Sequence, residues 1–175
     1  MRHGFAAALA LLGTPAAAEV VESTSHGFHV RHQVPLAVGD ADAWNAFARI
    51  GQWWGKDHTY SGDSGNLSLS LIRGGCWCER LPAGGGIEHM RVTYVDPGKR
   101  VLMTGSLGPL LFEATSGAMD VRIEASGNAS NLTLDYKVAG FATGGAEKYA
   151  PVVDKVIGDQ LKRFRSFAAQ AARTR

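Results

Sequence analysis

The residues whose type and spacing most directly suggest chemistry are Cys76 and Cys78, which flank Trp77 in the segment RGGCWCERL. A thiol pair at this spacing could bind a metal, form a disulfide or supply a nucleophile. A metal site would need further soft or imidazole ligands, and the chain has no other cysteine. A reactive thiolate would need a base or cation beside it, so the elements around the pair must decide between these roles.

The two cysteines lie in a segment whose alternation predicts a β-strand. Residues two apart on an extended strand are separated by ~6.6 Å, which is longer than a disulfide favours. Side chains two apart also share one face of the sheet. We therefore expect Cys76 and Cys78 to be small buried side chains that face the interior, and we favour this over a disulfide, a metal site or a thiolate.

Hydrophobic periodicity along the chain predicts an α+β fold. GFHVRHQVPL at 27–36 alternates as a strand, and DADAWNAFARI at 40–50, followed by GQWWG, has helical spacing. A long amphipathic helix begins at Tyr149 or Ala150. Between them lie six alternating segments joined by short turns, at 66–72, 74–81, 85–96, 98–107, 116–125 and 130–140. We expect a seven-stranded curved antiparallel sheet wrapped round the long helix, with two short helices between strands 1 and 2.

Folding the hairpins on their turns predicts which side chains face the long helix. The PAGGG turn sets Cys78 opposite Met90 and Glu79 opposite His89, and the DPGK turn sets Val92 opposite Met103. The predicted inner face is apolar and consists of Cys76, Cys78, Met90, Val92, Tyr94, Val101, Met103, Met119, Val121, Ile123, Leu132, Leu134, Tyr136 and Val138. The predicted outer face is largely polar and includes Trp77, Glu79, His89, Arg91, Thr93, Thr104, Arg122, Glu124, Asp135 and Lys137.

The N-terminal residues 1–18 have the features of a secretory signal peptide. Arg2 precedes an apolar stretch, Pro15 follows it, and Ala16, Ala17 and Ala18 offer a cleavage site. The apolar stretch is too short to span a bilayer. We expect cleavage near Ala18, a periplasmic or secreted single domain over 19–175, and no stable membrane insertion afterwards. About ten residues before the first strand are expected to be loose.

The balance of charge excludes one class of partner. The chain carries 18 lysine and arginine residues against 16 acidic ones, a formal net charge of +2. This near-neutrality provides no footprint for nucleic acid. The oligomeric state is left open between monomer and dimer.

Several segments resemble the START-like (SRPBCC) helix-grip superfamily, in particular bacterial members of the chaperone-ATPase-activator-homologue or polyketide-cyclase type. They are WW at 53–54 with HTYSG after it, GGCWCE at 74–79, HMRVTYVDPGKRVLMTGSLGPL at 89–110 and APVVDKVIGDQLKRF at 150–164. The resemblance implies a cavity between the sheet and the C-terminal helix. It implies no fixed function, because one fold serves many functions.

Such a cavity predicts a protein that binds an apolar or amphipathic small molecule such as a lipid, an isoprenoid or an aromatic, without a cofactor. The signal segment predicts that this protein is exported. Because adjacent indoles cannot share one helical face, we expect one of Trp53 and Trp54 at the cavity entrance. The full set of expected ligand-binding residues is Trp53, Trp54, His58, Cys78, Met90, Val92, Met103, Leu110, Phe112, Phe141, Tyr149, Val153 and Ile157. Tyr60 and Tyr136 are further candidates for the mouth and the wall.

Two other functions stay open. A cyclase-like or hydrolase-like enzyme could use His58 or His32 together with a pocket tyrosine. A protein-interaction module could use Trp77, Glu79 and His89 with Arg91 on the outer face.

Overall fold

The structure is a computed structural model that describes residues 18–174. Within this range the two α-helices are α1 (Asp40–Phe47) and α2 (Ala150–Arg173). The eight strands are β1 (Ala18–Thr24), β2 (Gly27–Leu36), β3 (Leu67–Leu69), β4 (Cys76–Arg80), β5 (Gly86–Asp96), β6 (Arg100–Gly105), β7 (Ala114–Ser126) and β8 (Ala129–Phe141).

The strands form one antiparallel sheet in the order β1-β2-β8-β7-β6-β5-β4-β3. The sheet follows from the alternation in the sequence, since every second residue is buried from Gly117 to Ile123 in β7 and from Ser130 to Leu134 in β8. The buried residues of α2, Ile157, Leu161 and Phe164 among them, recur at helical spacing. The chain is therefore the predicted α+β architecture, an antiparallel sheet with a long C-terminal helix.

The sheet has eight strands where the sequence predicted seven. The additional strand is β1, in residues that we expected to be loose, and it pairs with β2 through Glu19 and Arg31 among others. Its valines, Val20 and Val21, are adjacent and both exposed. Backbone pairing at the sheet edge holds this strand, so it leaves no apolar alternation in the sequence.

The segment between α1 and β3 forms short 3₁₀ turns in place of a second regular helix. They lie at Ile50–Gln52, Lys56–His58 and Ser64–Asn66. The indole of Trp53 donates to the Phe47 carbonyl at 3.3 Å, and buried Gln160 of α2 accepts from the Gly55 N–H at 2.6 Å. These two bonds fix the irregular segment to α1 and α2.

The predicted register between β4 and β5 is wrong by two residues at Cys78 and Glu79 and by one residue at Trp77. Trp77 pairs with Met90 and Cys78 pairs with Glu88, so His89 is the extra residue of a β-bulge. A bulge places two consecutive side chains on one side, and both His89 and Met90 are buried. Gly105 opposes Met90, and any side chain there would clash with the His89 carbonyl.

The bulge reverses which residues of β4 face inward. Trp77 and Glu79 are each 2 % exposed, whereas Cys76 and Cys78 are partly exposed on the other face. A second bulge in β5 pairs Tyr94 with Leu102 and leaves Tyr94 exposed, although the predicted pairing of Val92 with Met103 is confirmed. The predicted inner faces of β7 and β8 are also confirmed, since every residue assigned to them is buried.

The two cysteines form a disulfide, which we considered and did not favour. Their Cα atoms are 5.4 Å apart, so β4 is contracted relative to the extended spacing on which our expectation rested. The contraction lies where the β4–β5 register shifts.

The predicted signal segment lies outside the described residues except for Ala18, so its cleavage stays a prediction. Across residues 18–174, no helix is both long and apolar enough to cross a membrane.

Candidate functional site

A cavity of about 530 Å³ lies between the first turns of α2 and the strands β3, β4 and β5. The main contacts of α2 are with α1 and with β2 and β1, at the edge of the sheet opposite β3, so α2 has few contacts with the strands over which the cavity lies. The lining residues are Trp54, Asp57, His58, Thr59, Tyr60, Leu67, Trp77, His89, Leu107, Gly108, Pro109, Phe112, Tyr149, Val152, Val153, Val156 and Ile157. We call this cavity the pocket.

The walls of the pocket are mainly apolar. Four residues from the first turns of α2 form one wall, namely Val152, Val153, Val156 and Ile157. The opposite side includes Pro109 and Phe112 from the 3₁₀ segment Gly108–Phe112. Phe112 is 78 % exposed and Val152 is 60 % exposed, so both lie at the mouth, while Leu67, Trp77 and His89 are buried at the inner end.

The adjacent indoles have different environments. Trp53 is buried in the core against Phe47 and Phe164, with ring centroids 5.6 and 5.2 Å away. Trp54 lines the pocket and packs edge-to-face on Trp77 at 4.6 Å. The Trp54 indole N–H donates to the His58 carbonyl at 2.9 Å, which leaves its ring for apolar contact.

A buried acid and a histidine form the polar inner end of the pocket. Glu79 Oε2 lies 2.9 Å from His89 Nε2, and Glu79 Oε1 accepts the Ser61 N–H at 2.5 Å. The Glu79 side chain is fully enclosed. Because it is behind His89 and outside the lining, Glu79 acts on the pocket through His89.

The protonation states of this dyad follow from burial and hydrogen bonding. Burial raises the pKa of the Glu79 carboxyl, but hydrogen bonds from Ser61, the Tyr60 backbone and His89 outweigh it and leave the pKa below its usual value. Burial lowers the pKa of His89, and Glu79 opposes this only in part. A carboxylate beside a neutral imidazole fixes the tautomer, with Nε2–H donating to Glu79 and Nδ1 left as an acceptor.

The loop 56–61 closes one side of the pocket against this dyad. Tyr60 stacks on His89 with ring centroids 5.8 Å apart and meets Phe112 edge-to-face at 5.9 Å. Its hydroxyl donates to the Gly108 carbonyl at 2.6 Å. Burial, and then the nearby Glu79 charge, raise the pKa of Tyr60 and keep it protonated.

Two nitrogens at the inner end have no hydrogen-bond partner among the described residues. They are Trp77 Nε1 and His89 Nδ1, on side chains that are 2 % and 5 % exposed. The two rings are neighbours, with centroids 5.8 Å apart, and both line the pocket. Buried polar groups in proteins are nearly always paired, so these two nitrogens require a partner that residues 18–174 do not supply.

The expected ligand-binding residues divide into two groups. Those that line the pocket are Trp54, His58, Phe112, Tyr149, Val153 and Ile157, together with Tyr60. Those that do not line it are Trp53, Cys78, Met90, Val92, Met103, Leu110 and Phe141, together with Tyr136.

The second group has clear physical placements. Trp53, Met90, Val92, Met103, Leu110 and Tyr136 are buried core, Phe141 is 73 % exposed, and Cys78 is partly exposed on the outer face. Trp77 and His89 were missed as pocket residues because the predicted register put them outside. The outer-face interaction surface loses its basis for the same reason, as Trp77, Glu79 and His89 face inward.

His32 lies apart from the pocket. It is 3 % exposed, and its Nε2 is 2.9 Å from Asp154 Oδ1 on α2, although the two atoms are not aligned for a hydrogen bond. Gly158 leaves room for the imidazole, since a Cβ there would be 3.1 Å from His32 Cε1. This pair joins β2 to α2 and has no access to a pocket ligand.

Among the described residues, Cys76, Cys78 and Glu88 are the one group whose ligand atoms lie close enough to hold a metal ion. Metal binding requires thiolates, whereas the two sulfurs are joined to each other. In this oxidised form the group offers a single carboxylate.

The comparisons with known proteins rest on structure. The sequence matches no family model, and it is not similar enough to any curated protein to be matched with it. An uncharacterised protein from Rhizobium leguminosarum aligns over 90 % of this chain and 99 % of its own, with a TM-score of 0.62 and 16 % identity. Ara h 8.0201, a protein of the Bet v 1 type, aligns over 82 % of this chain and 99 % of its own, with a TM-score of 0.56 and 12 % identity.

The chain has the helix-grip fold. DynU16, from the dynemicin biosynthetic locus, shares it, with a TM-score of 0.56 and 19 % identity over 79 % of this chain and 46 % of its own. At these identities the likeness establishes the fold and leaves the chemistry to the pocket.

Proposed function

We propose that this protein binds an apolar or amphipathic small molecule, such as a lipid, an isoprenoid or an aromatic compound, in the pocket between the sheet and α2. The observation that carries the proposal is the pocket itself, at about 530 Å³ with mainly apolar walls. Binding sites for small molecules typically have volumes of this order and similar linings. The proteins of similar structure suggest either a ligand-binding or a cyclase-like role.

The decisive experiment fills the pocket. Val153→Trp places an indole in the pocket wall, and Lys155→Trp places the same group on the exposed side of α2 as a matched control. Titration with the fluorescent probe 1-anilinonaphthalene-8-sulfonate should show saturable binding to the wild type. The Val153 variant should bind at least tenfold more weakly, and the Lys155 variant should bind as the wild type does. Unchanged affinity in the Val153 variant would refute the pocket as the binding site.

Export is part of the proposal, on the basis of residues 1–18. Native mass spectrometry of the protein purified from its own producing cells, with a denatured control, tests both points at once. A chain that begins at Glu19 supports cleavage, and an additional mass that is lost on denaturation identifies a bound ligand. A chain that retains Met1 or Arg2 in the mature protein refutes cleavage.

The Glu79–His89 dyad supports a second candidate function, proton abstraction from a bound substrate. Neutral His89 with Nδ1 as acceptor, oriented by a carboxylate, is the arrangement of a general base. His89 replaces His32, which lies away from the pocket, whereas His58 lines the pocket and stays a sequence-based prediction. We would measure hydrogen–deuterium exchange at the α-carbon of 2-tetralone by NMR. Acceleration over buffer that is lost in His89→Gln supports catalysis, and exchange at the buffer rate refutes it for this ketone.

A further inference from the structure

Two neighbouring rings in the pocket lining carry an unmatched donor and an unmatched acceptor. Trp77 Nε1 can only donate a hydrogen bond, because an indole N–H has no acceptor function. His89 Nδ1 can only accept one, because Nε2 carries the proton that faces Glu79. The two rings are neighbours at the inner end of the pocket, and neither nitrogen has a partner within residues 18–174.

The other indole of the pocket shows that this is not a general property of its tryptophans. The Trp54 N–H is bonded to the His58 carbonyl, and its ring is available only for apolar contact. Among the described residues that line the pocket, the buried side-chain atoms that lack a hydrogen-bond partner are therefore on Trp77 and His89.

We infer that the ligand carries a hydroxyl group, which enters the inner end of the pocket, accepts from Trp77 Nε1 and donates to His89 Nδ1. A hydroxyl has one donor and two acceptor positions and so complements both nitrogens at once. A carbonyl or an ether oxygen could satisfy only the indole. This inference rests on the proposed binding function and narrows it to hydroxylated apolar molecules, such as phenols, sterols or long-chain alcohols.

Glu79 has a positioning role in this scheme. Its carboxylate fixes the His89 tautomer, and with it the preference for a ligand donor over a ligand acceptor. Through the Ser61 N–H it also holds the loop 56–61, whose Tyr60 ring covers one face of His89. Glu79 thus determines which nitrogen of His89 accepts a hydrogen bond and also holds in place the loop that encloses the inner end.

The test compares two probes that differ in one hydrogen-bond donor. 2-Naphthol carries a hydroxyl, and 2-methoxynaphthalene replaces it with an ether that can accept but cannot donate. Isothermal titration calorimetry of each probe gives the ratio of their dissociation constants. We expect the wild type to bind 2-naphthol about tenfold more tightly, the effect of one buried hydrogen bond.

Two variants separate the partners, and a third serves as control. His89→Phe should abolish the preference for 2-naphthol, because the acceptor is lost. Trp77→Phe keeps an aromatic ring and should weaken both probes, since each offers an oxygen to the indole. Trp54→Phe should leave the ratio of the two probes unchanged, because that N–H is already used.

The outcomes separate a failure of the hydroxyl inference from a failure of the proposed ligand-binding function. Equal binding of both probes to the wild type, with binding still lost in Val153→Trp, overturns the hydroxyl inference and leaves the pocket function intact. A preference for 2-naphthol that survives in His89→Phe also overturns it. Failure of both probes and of 1-anilinonaphthalene-8-sulfonate to bind counts against the proposed function itself.

Discussion

Glu79 carries a buried negative charge that is stabilised by a hydrogen bond to each oxygen of its carboxylate. Its enclosed carboxylate meets the Ser61 N–H and His89 Nε2, one on each oxygen. A buried charge is tolerated only when it is paired and hydrogen-bonded in this way. The residue therefore connects stability with the state of the candidate site.

Removing this carboxylate should destabilise the protein. Glu79→Ala leaves the Ser61 N–H and the His89 N–H unpaired, and we expect a loss of about 3 kcal/mol in the free energy of unfolding. Urea denaturation measures it. Glu88→Ala is the matched control, because Glu88 is exposed beside Arg91 and should change the value by less than about 1 kcal/mol. Similar losses in the two variants would contradict the role assigned to Glu79.

Acid should destabilise the fold in a window set by two buried histidines. Burial lowers the pKa of both His32 and His89, with Asp154 and Glu79 opposing it in part. The unfolded chain then binds protons that the folded chain does not, so stability is full above about pH 6.5 and falls as the pH drops toward the lowered values.

Urea midpoints between pH 7.5 and pH 5 measure this dependence. The double variant His32→Gln/His89→Gln should show a flatter profile across that range. A wild-type midpoint that stays constant down to pH 5 would contradict the prediction. Glu79 and Asp135 have lowered pKa values and contribute their own losses at lower pH, as each takes up a proton.

At the scale of elements, one bulge in β5 determines which side chains of β4 and β5 line the pocket. The bulge at His89 turns Trp77, Glu79 and His89 inward, and the cysteines outward. The contraction of β4 beside it brings Cys76 and Cys78 within reach of each other. The disulfide is therefore a feature of the outer face, separate from the ligand site.

Because this disulfide closes a very short loop, it should stabilise the protein only modestly. The closed loop contains only the three residues from Cys76 to Cys78, for which the chain-entropy relation gives about 1.6 kcal/mol. The double variant Cys76→Ser/Cys78→Ser should unfold about 3–6 °C below the wild type. Wild type with a reductant should match the variant, whereas failure of either to fold would contradict this estimate.

At the scale of the whole molecule, the position of α2 on the sheet leaves a cavity between the helix and the strands β3, β4 and β5. The helix is seated on β1 and β2, and the space over β3, β4 and β5 becomes the pocket. A ligand that fills this space adds contacts that only the folded state can make. Occupancy and stability should therefore be linked.

Ligand binding should raise the melting temperature in a concentration-dependent way. At 100 times the dissociation constant of 2-naphthol, the stabilisation is about 2.7 kcal/mol, equivalent to roughly 5–10 °C for a domain of this size. Differential scanning fluorimetry follows the shift. Val153→Trp, whose pocket is filled by its own side chain, should show no shift, and an equal shift in both proteins would place the ligand elsewhere.

The sequence by itself determined the elements that are held by periodic burial. The strands from β2 to β8, the start of α2 near Ala150 and the inner faces of β7 and β8 all follow from regular apolar spacing. The alternation is longest in β2, β7 and β8, which bury one face over much of their length. A periodic pattern in the chain is the direct consequence.

Only the tertiary structure decided which side chains line the pocket. Strand β1 is an exposed edge held by backbone bonds, so its side chains carry no pattern. A β-bulge adds a single residue and shifts every following side chain to the other face, which alternation cannot reveal. Glu79, His89 and Trp77 were visible in the sequence as a group, but the bulge put them at the inner end of a cavity whose extent depends on where α2 is seated.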